Sequence, residues 1–378
     1  MSSSPGSAFD DEMMAVALRM AERGLGATWP NPSVGAVIAN EETGELISRA
    51  RTANGGRPHA ETTAIAAAGE KARGATIYVT LEPCSHYGQT GPCAGAIVAA
   101  GLKRAVVAIE DPDPRVAGRG LDMLREAGIE VVRGVGAAEA KWITRGHVVR
   151  ITERRPLVTL KLALDAKGDI ARGSGSQPVW VTGEQSRAHA MVLRSAYDAI
   201  LVGAATVKDD DPELTCRLPG LFDRSPVRIV LSRSLDLPVK AKLFESAQKV
   251  PVWLMTAAGA DANKKAAIAA GGTEVIDAGV VGGSLWLPSI MEALVARGIT
   301  RLLVEGGPAI WRAFAEASLA DEIILYMAGT PTDVEAENAV TRWLGPQGLS
   351  VAERRIIGTD TMWRLHALRT GRADKEGR

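Results

Sequence analysis

Residues 57–61 read Arg-Pro-His-Ala-Glu, and residues 82–93 read Glu-Pro-Cys-Ser-His-Tyr-Gly-Gln-Thr-Gly-Pro-Cys. These stretches contain one imidazole, His59, and two thiols, Cys84 and Cys93, which are ligand types that zinc prefers. Three protein ligands leave one corner of a tetrahedral site open to water, whose pKa falls to roughly 7 on the metal. The pattern therefore predicts a catalytic zinc site that provides hydroxide at neutral pH.

Glu61 follows the histidine by two residues and is not needed to fill the coordination sphere. A carboxylate in that place suits the transfer of a proton from an attacking water to a departing amine, which is the chemistry of a hydrolytic deaminase. The alternative is a structural zinc site, which needs a fourth protein ligand, and His86 is the nearby candidate. An isolated histidine or cysteine is ordinarily structural, but the combination favours the catalytic site.

Composition limits the broad class of protein. A chain of 378 residues exceeds the size at which one hydrophobic core stops growing, so two domains are expected. The 44 basic and 44 acidic residues balance, which argues against nucleic acid as the main partner.

The cysteines indicate a reducing compartment. Two of the three are assigned to metal, and the third, Cys216, is expected to be a packing residue. The amino-terminal residues lack a signal-peptide pattern and no apolar run reaches about 18 residues, so we predict a cytoplasmic protein without a membrane span.

In the first half, apolar periodicity alternates between the patterns of helices and strands and predicts a layered α/β domain over residues 1–150. His59 and Cys93 fall at predicted helix starts, where the helix dipole is expected to lower a thiol pKa. Asp10-Asp11-Glu12 is the expected start signal of the first helix. The predicted helices are 13–23, 59–73, 93–100, 118–128 and one from 137, and the predicted strands are 34–39, 45–50, 76–81, 104–109 and 130–135.

Arg150–Arg155 is the expected crossing point to a second α/β domain over residues 151–378, which ends in a polar tail at 372–378 that we predict to be disordered. No Gly-x-Gly-x-x-Gly follows a predicted strand, so a Rossmann cofactor domain is not supported. The predicted strands are 157–164, 199–202, 227–231, 250–256, 273–276, 301–304, 322–326 and 362–368, and the predicted helices are 184–195, 288–297 and 308–317.

The chain resembles the bifunctional deaminase/reductase family of riboflavin biosynthesis over most of its length. Pro30–Gly35, Pro58–Glu61 and Glu82–Cys93 carry the resemblance, and the nine-residue step between the two cysteines is its most specific feature. The match continues at Asp111–Pro114 and Ala117–Gly120. The resemblance implies an N-terminal cytidine-deaminase-like α/β/α domain followed by a dihydrofolate-reductase-like α/β domain.

In the first domain, the resemblance assigns zinc to His59, Cys84 and Cys93 and the proton transfer to Glu61. It also places Asn31, in the Pro-Asn-Pro turn, against the pyrimidine, with residues of the insert between the cysteines lining the pocket. The implied reaction removes the 2-amino group of a diaminopyrimidinone that carries a ribosylamino 5-phosphate.

In the second domain, the resemblance implies NADPH-dependent reduction of the ribosyl group to ribityl. The sequence supports an anion site at Gly306-Gly307-Pro308, because glycine lets a ligand approach the backbone and free N–H groups at a helix start attract phosphate. A plain strand-to-helix connection is the alternative for that turn taken alone. The cofactor residues implied are Ala163, Trp180, Thr206, Asp210, Gly307 and Pro308, and the substrate residues implied are Arg194, Leu214, Arg217 and Glu305.

Two departures from the family pattern affect the second domain. Leu164–Asp169 differs from the usual motif, and an extra residue lies between Gly168 and Trp180, so the local register of the match is open. Ser232 stands where an aspartate is common, and the next residue, Arg233, is a candidate for holding the 2′-phosphate of NADPH.

The favoured hypothesis is a two-step enzyme that takes a small phosphorylated pyrimidine and uses zinc and NADPH, with no nucleic acid or membrane partner. We also expect a homo-oligomer. One rival is a zinc deaminase of another nucleobase or of nucleic acid, with a non-catalytic second domain. Another is a zinc-stabilised binding or regulatory protein, which would leave Glu61 and the open coordination position unexplained.

Overall fold

The structure, a computed structural model, describes residues 6–86, 91–114, 116–170 and 180–368. The chain divides into two compact units, Met1–Pro156 with Arg297–Thr300 and Leu157–Ala296 with Arg301–Arg378. The predicted tail at 372–378, part of the insert between the cysteines and most of the stretch with the extra residue lie outside the described residues. Among the described helices, none combines the length and the apolar character needed to cross a membrane.

The first unit contains the alternating helices and strands that the sequence predicts. Its helices are α1 Ala8–Glu22, α2 Ala60–Ala68, α3 Cys93–Ala99, α4 Arg119–Glu126 and α5 Ala137–Glu153, and its strands are β1 Gly35–Asn40, β2 Glu45–Arg51, β3 Thr76–Val79, β4 Arg104–Val107 and β5 Glu130–Arg133. The strands form one sheet in the order β2-β1-β3-β4-β5. β1 pairs antiparallel with β2 and β3, whereas β3, β4 and β5 are parallel.

Buried side chains cover both faces of this sheet, which makes the unit a three-layer α/β/α structure. Alternate strand residues such as Ile77 and Val79 pack on one side with α2, α3 and α4. Their neighbour Tyr78 packs on the other side with α1 and α5. Because successive residues of a strand point to opposite faces, the apolar runs predicted as strands supply both cores.

The first helix begins five residues before the predicted start. Ser7 is its N-cap, and Ser7 and Asp10 form a reciprocal capping box. Asp10 is fully buried and accepts hydrogen bonds from Nη1 and Nη2 of Arg104 at 2.7 and 2.9 Å. The expectation that Asp10–Glu12 caps the helix is therefore wrong, because the cap, Ser7, lies in the polar segment before it. The expected favourable charge is present, since Asp10 and Asp11 lie in the first turn.

The second unit is larger and contains one wide sheet and a separate two-stranded sheet formed by its sixth and seventh strands. Its strands are β6 Leu157–Leu164, β7 Ala199–Gly203, β8 Val227–Leu231, β9 Val252–Ala257, β10 Glu274–Ala278, β11 Val280–Val281, β12 Ser284–Leu285, β13 Arg301–Val304, β14 Glu322–Ala328, β15 Gly348–Ile357 and β16 Asp360–Leu368. Its helices are α6 Glu184–Arg194, α7 Ala204–Asp210, α8 Lys242–Glu245, α9 Ala262–Ala269, α10 Leu287–Ala296, α11 Pro308–Glu316 and α12 Asp333–Leu344.

The described strands of this sheet lie in the order β10-β9-β8-β7-β13-β6-β14-β16-β15. The seven from β10 to β14 are parallel, and β16 and β15 extend the sheet antiparallel. The carboxyl ends of parallel strands share one edge, and ligands of open α/β sheets bind in the crevice outside that edge. The turns after β6, β7, β8 and β13 all open at this edge.

All the predicted strands of the second half occur, with ends shifted by a few residues. α7, α9, α12 and β15 are further elements that the sequence analysis did not identify. Helix α5 continues to Glu153, through most of the segment expected to be the crossing point.

Candidate active sites

The two cysteines and the histidine predicted as metal ligands meet in the first unit. The Nδ1 atom of His59 lies 3.3 Å from Sγ of Cys93 and 3.8 Å from Sγ of Cys84. One ligand atom from each residue falls within 4.8 Å of the others. His59 is the N-cap of α2 and Cys93 is the first residue of α3, so both lie at helix starts as predicted. One imidazole and two thiols at these distances fit a zinc ion with three protein ligands.

The two thiols do not titrate alike in the absence of a cation. The Cys93 thiol and the backbone N–H of Cys93 both donate to Cys84, and the His59 imidazole lies beside it, which lowers the pKa of Cys84 to about 4. The same thiol pair and burial raise the pKa of Cys93 well above its ordinary value. The backbone N–H at the start of α3 donates to Cys84, and a second negative charge beside that thiolate is unfavourable, so the pair carries one negative charge when no cation is bound. A divalent cation removes this penalty. The expectation that the dipole of α3 favours the Cys93 thiolate in the metal-bound site stays a prediction.

Glu61, in the first turn of α2, is buried beside this cluster. Desolvation raises the pKa of its carboxyl, and the charges of His59 and Cys84 and the thiol of Cys93 also act on it. A buried carboxyl next to a metal site, with a raised pKa, suits a group that both takes up and releases a proton.

Asn31 lies in the turn before β1, and its Nδ2 donates to the carbonyl of Gly56 at 2.8 Å. Gly56 has a φ of +85°, and a Cβ there would lie 2.8 Å from Asn31 Cβ, so only glycine allows the two segments to approach so closely. This bond orients the Asn31 carboxamide and joins the turn to the segment that leads into His59.

Glu82 is a site residue that the sequence analysis did not identify. Its buried carboxylate accepts four backbone hydrogen bonds. The donors are the N–H groups of Asp111 at 3.2 Å, Gly118 at 3.0 Å, Gly120 at 2.9 Å and Leu121 at 3.4 Å. Glu82 precedes the Cys84 ligand by two residues, so the segment that carries this ligand is fixed to the start of α4. The sequence shows a glutamate directly before Pro-Cys but does not indicate its backbone partners.

In the second unit, the predicted substrate residues Arg194 and Glu305 are in direct contact. Nε and Nη2 of Arg194 each donate to one carboxylate oxygen of Glu305 at 2.8 Å. Lys161 forms a longer ion pair with the same carboxylate, with its Nζ 3.9 Å from Oε2 of Glu305. Desolvation opposes the charge, but Arg194 and Lys161 outweigh it and lower the pKa of Glu305 to about 2. Burial lowers the pKa of Lys161.

Leu214 and Arg217, also predicted to bind substrate, lie in the segment that follows α7. Leu214 is buried and has a φ of +57°, a left-handed conformation that is uncommon for a branched residue. The next residue, Thr215, accepts a hydrogen bond from Nη1 of Arg194 at 3.2 Å. Arg217 pairs with Glu213 at 3.3 Å, and its charge also lowers the pKa of Glu305. Arg217 follows by two residues the Thr215 carbonyl that contacts Arg194.

The predicted cofactor residues follow the carboxyl ends of the central strands. Thr206 and Asp210 are on α7 after β7, and Gly307 is the N-cap of α11 after β13, with Pro308 in the first turn. Ala163 is near the end of β6 and pairs with Tyr326 of β14. Trp180 is exposed, and the guanidinium of Arg187 lies over its ring at 5.1 Å.

Only one glycine of the Gly306-Gly307 turn leaves room for a ligand. A Cβ on Gly306 would lie 2.7 Å from Cβ of Ile310, whereas a Cβ on Gly307 would meet nothing within 4 Å. Gly306 is thus required by packing against α11, and Gly307 presents open backbone at the helix start.

Comparisons with known proteins identify a deaminase region in the first part of the chain and a reductase-family domain in the second. Residues 7–109 match the cytidine and deoxycytidylate deaminase zinc-binding region, and residues 156–331 match the RibD C-terminal domain. The riboflavin biosynthesis protein RibD of Bacillus amyloliquefaciens is 40% identical over 319 residues, covering 84% of each chain. RibD of Escherichia coli K12 is 37% identical over 342 residues, covering 84% of this chain and 87% of its own.

Among solved structures, Acinetobacter baumannii RibD superimposes with a TM-score of 0.81 at 32% identity, covering 96% of this chain and 99% of its own. A Thermotoga maritima diaminohydroxyphosphoribosylaminopyrimidine deaminase/5-amino-6-(5-phosphoribosylamino)uracil reductase superimposes with a TM-score of 0.80 at 32% identity, covering 95% and 99%.

Proposed function

The chain belongs to the RibD family of riboflavin-biosynthesis proteins, and from this we propose how its residues divide the work of a bifunctional deaminase and reductase. The prediction of a deaminase-type α/β/α domain followed by an α/β reductase domain is confirmed. The enzyme is a hydrolase in its first unit and an oxidoreductase in its second. The observation that carries the proposal is the meeting of His59, Cys84 and Cys93 beside buried Glu61.

For the deaminase, we propose that His59, Cys84 and Cys93 hold zinc. When bound, zinc supplies the Lewis acidity that makes water a nucleophile at neutral pH. The substrate is a 2,5-diamino-6-ribosylamino-4(3H)-pyrimidinone 5′-phosphate, and hydrolysis replaces its 2-amino group by oxygen and releases ammonia. Glu61 takes a proton from the attacking water and gives a proton to the departing amine, and the Asn31 carboxamide contacts the pyrimidine.

For the reductase, we propose that the 5-phosphate of the deaminated product binds near Arg217, whose guanidinium is half exposed and donates a hydrogen bond to Glu213 at 3.3 Å. Arg194 is fully engaged with Glu305 and Thr215, so we assign it the task of orienting Glu305 toward the substrate. Glu305 then faces the ribosyl group, which is reduced to ribityl.

The cofactor proposed for this step is NADPH, which supplies a hydride when bound. Its phosphates suit the open backbone of Gly307 and the start of α11, which lie between the turns after β7 and β6. Ala163, Thr206, Asp210, Pro308 and Trp180 border the same edge of the sheet and are the proposed cofactor contacts.

We further propose that Arg233 selects NADPH over NADH. Its carbonyl accepts hydrogen bonds from the backbone N–H of Ala257 at 3.4 Å and from Oγ1 of Thr256 at 3.2 Å, which fixes its backbone between the ends of β8 and β9. The nearby cations Lys208 and Lys265 pair with Asp236 and Asp277. Within the described residues, no carboxylate pairs with Arg233, so its guanidinium is available to a phosphate.

The experiment that tests the metal part of this proposal is elemental analysis of the freshly purified full chain. We expect one zinc per chain, loss of ammonia release from the aminopyrimidine when zinc is stripped, and recovery when zinc is restored. A chain without zinc, or one that deaminates equally well without it, would reject the proposed site. A homo-oligomer and a cytoplasmic location remain predictions, and light scattering tests the first of them.

A further inference from the structure

Glu82 joins two parts of the first unit that are far apart in sequence. The four N–H groups that its carboxylate accepts belong to residues 29 to 39 positions further along the chain. Two of these donors, Gly118 and Gly120, are the N-cap and the second residue of α4, so the charge lies at the positive end of that helix. A buried carboxylate with four donors is firmly held, because leaving any of them unpaired is costly.

The peptide that follows Glu82 is held against the same helix by close packing. A Cβ on Gly120 would lie 2.1 Å from the carbonyl oxygen of Pro83, which is a backbone atom that cannot move independently. On the strand side, the N–H of Glu82 donates to the carbonyl of Ile109 at 2.9 Å. The residues directly before Cys84 are therefore fixed from two directions.

Cys84 itself is held on its other side by α3. The N–H of Ala94 donates to the carbonyl of Cys84 at 3.2 Å, and the N–H of Cys93 donates to its sulfur at 3.3 Å. This ligand thus sits between the starts of two helices. The α3 contacts come from a segment that carries a second ligand, whereas the α4 contacts come from a segment that carries none.

We propose that Glu82 is a positioning residue of the metal site, which acts through Cys84 to keep zinc bound. The inference rests on the proposed function, since it requires that His59, Cys84 and Cys93 hold zinc. Outer groups that orient metal ligands commonly change metal affinity by about 10- to 100-fold when they are replaced. Glu82 is such a group, although it touches Cys84 only through the backbone.

The first test variant is Glu82→Gln. The amide keeps the size of the side chain but replaces one acceptor oxygen by an N–H₂ group, which would face two backbone donors. The second is Gly120→Ala, which disturbs the same contact from the α4 side by pushing on the Pro83 carbonyl. We expect zinc to transfer from each full-length variant to excess chelator about 10-fold faster than from the wild type.

Matched controls separate positioning from general destabilisation. Asp10→Asn also neutralises a buried carboxylate of the first unit, but the partners of Asp10 are Ser7 and Arg104. Gly95→Ala places a methyl group two residues from Cys93, where its nearest neighbour is Pro92 Cγ at an ordinary 3.5 Å. We expect both controls to keep zinc within about twofold of the wild-type rate, even where thermal unfolding shows a stability loss equal to that of Glu82→Gln.

The inference is overturned if Glu82→Gln and Gly120→Ala hold zinc as long as the wild type does. It is equally overturned if Asp10→Asn, matched for thermal stability, loses zinc as fast as they do. Should Glu82→Gln fail to fold, Gly120→Ala decides the question with the same two outcomes. A wild-type chain that holds no zinc is a different result, because it rejects the proposed function itself.

Discussion

Arg194 and Glu305 form a two-point ion pair at the carboxyl edge of the large sheet, with Nε and Nη2 each 2.8 Å from one carboxylate oxygen. Both side chains are almost completely buried, with 13% and 8% of their surfaces exposed. A buried carboxylate is unfavourable unless it is paired and hydrogen-bonded, and this geometry satisfies both needs. The pair fixes a charged carboxylate where the ribosyl group is proposed to lie.

The Arg194–Glu305 pair should make the free energy of unfolding depend on pH in the acidic range. Because the pKa of Glu305 falls from 4.5 to about 2 on folding, its contribution is complete above pH 4.5 and is lost as the pH falls toward 2. The difference corresponds to about 3 kcal/mol. We expect the free energy of unfolding of Glu305→Gln, measured with denaturant, to change less with pH than that of the wild type. Between pH 4.5 and pH 2 its loss should be smaller by about 3 kcal/mol. Glu292→Gln, an exposed change on α10, serves as control, and an unchanged slope in Glu305→Gln would contradict the role of the pair.

Arg194→Lys should impair reduction while leaving deamination intact. Lysine keeps the charge but is a point donor that cannot make two parallel hydrogen bonds to one carboxylate. A lost charge-assisted hydrogen bond is worth about 1.5–3 kcal/mol, so we expect kcat/KM for NADPH-dependent reduction to fall by roughly 10- to 100-fold. Ammonia release by the same preparation is the internal control. If Arg194→Lys catalyses reduction at the wild-type rate, the two parallel hydrogen bonds to Glu305 are not needed.

Glu61→Gln should remove deamination and little else. The amide cannot carry a proton, and general acid–base catalysis contributes about 10²- to 10⁴-fold. We expect ammonia release to fall by at least about 100-fold, with zinc content and NADPH-dependent reduction of the already deaminated compound unchanged. Retained deamination would reject the assignment of proton transfer to Glu61.

Arg233→Ala should change the choice of nicotinamide cofactor. Loss of a charged contact to the 2′-phosphate should lower the ratio of kcat/KM for NADPH to that for NADH by roughly 10-fold or more. Lys265→Ala is the matched control, because that cation already pairs with Asp277 at 2.6 Å. If Arg233→Ala leaves the ratio of kcat/KM for NADPH to that for NADH unchanged, another residue must recognise the 2′-phosphate. The proposal that the second unit is a reductase would still stand.

The metal cluster could be predicted from sequence because its ligands lie in short motifs at fixed spacing. His59 and Glu61 are two residues apart on one helix, and Cys93 opens another helix directly after Pro92. These are local relationships, which a sequence displays directly. The pKa values of the two thiols could not be predicted from the sequence, because the low pKa of Cys84 depends on the three-dimensional approach of Cys93.

The role of Glu82 could not be predicted because its four partners are backbone N–H groups that lie next to it only in the folded chain. Backbone donors leave no residue-type signal, apart from the glycines at 118 and 120. The missed helix α12 is a different case, since Thr332 and Glu335 form a capping box that is visible in the sequence. The missed strand β15 is mostly exposed and lacks a regular apolar alternation, so periodicity gave no indication of it.

The central claim is that one chain performs a zinc-dependent deamination and an NADPH-dependent reduction in sequence. The most direct measurement incubates the purified protein with the diaminopyrimidinone ribosyl phosphate, with and without NADPH, and follows both ammonia and the ribityl product. We predict ammonia in both cases and the ribityl product only when NADPH is present. Absence of ammonia, or ammonia without any ribityl product in the presence of NADPH, would contradict the account.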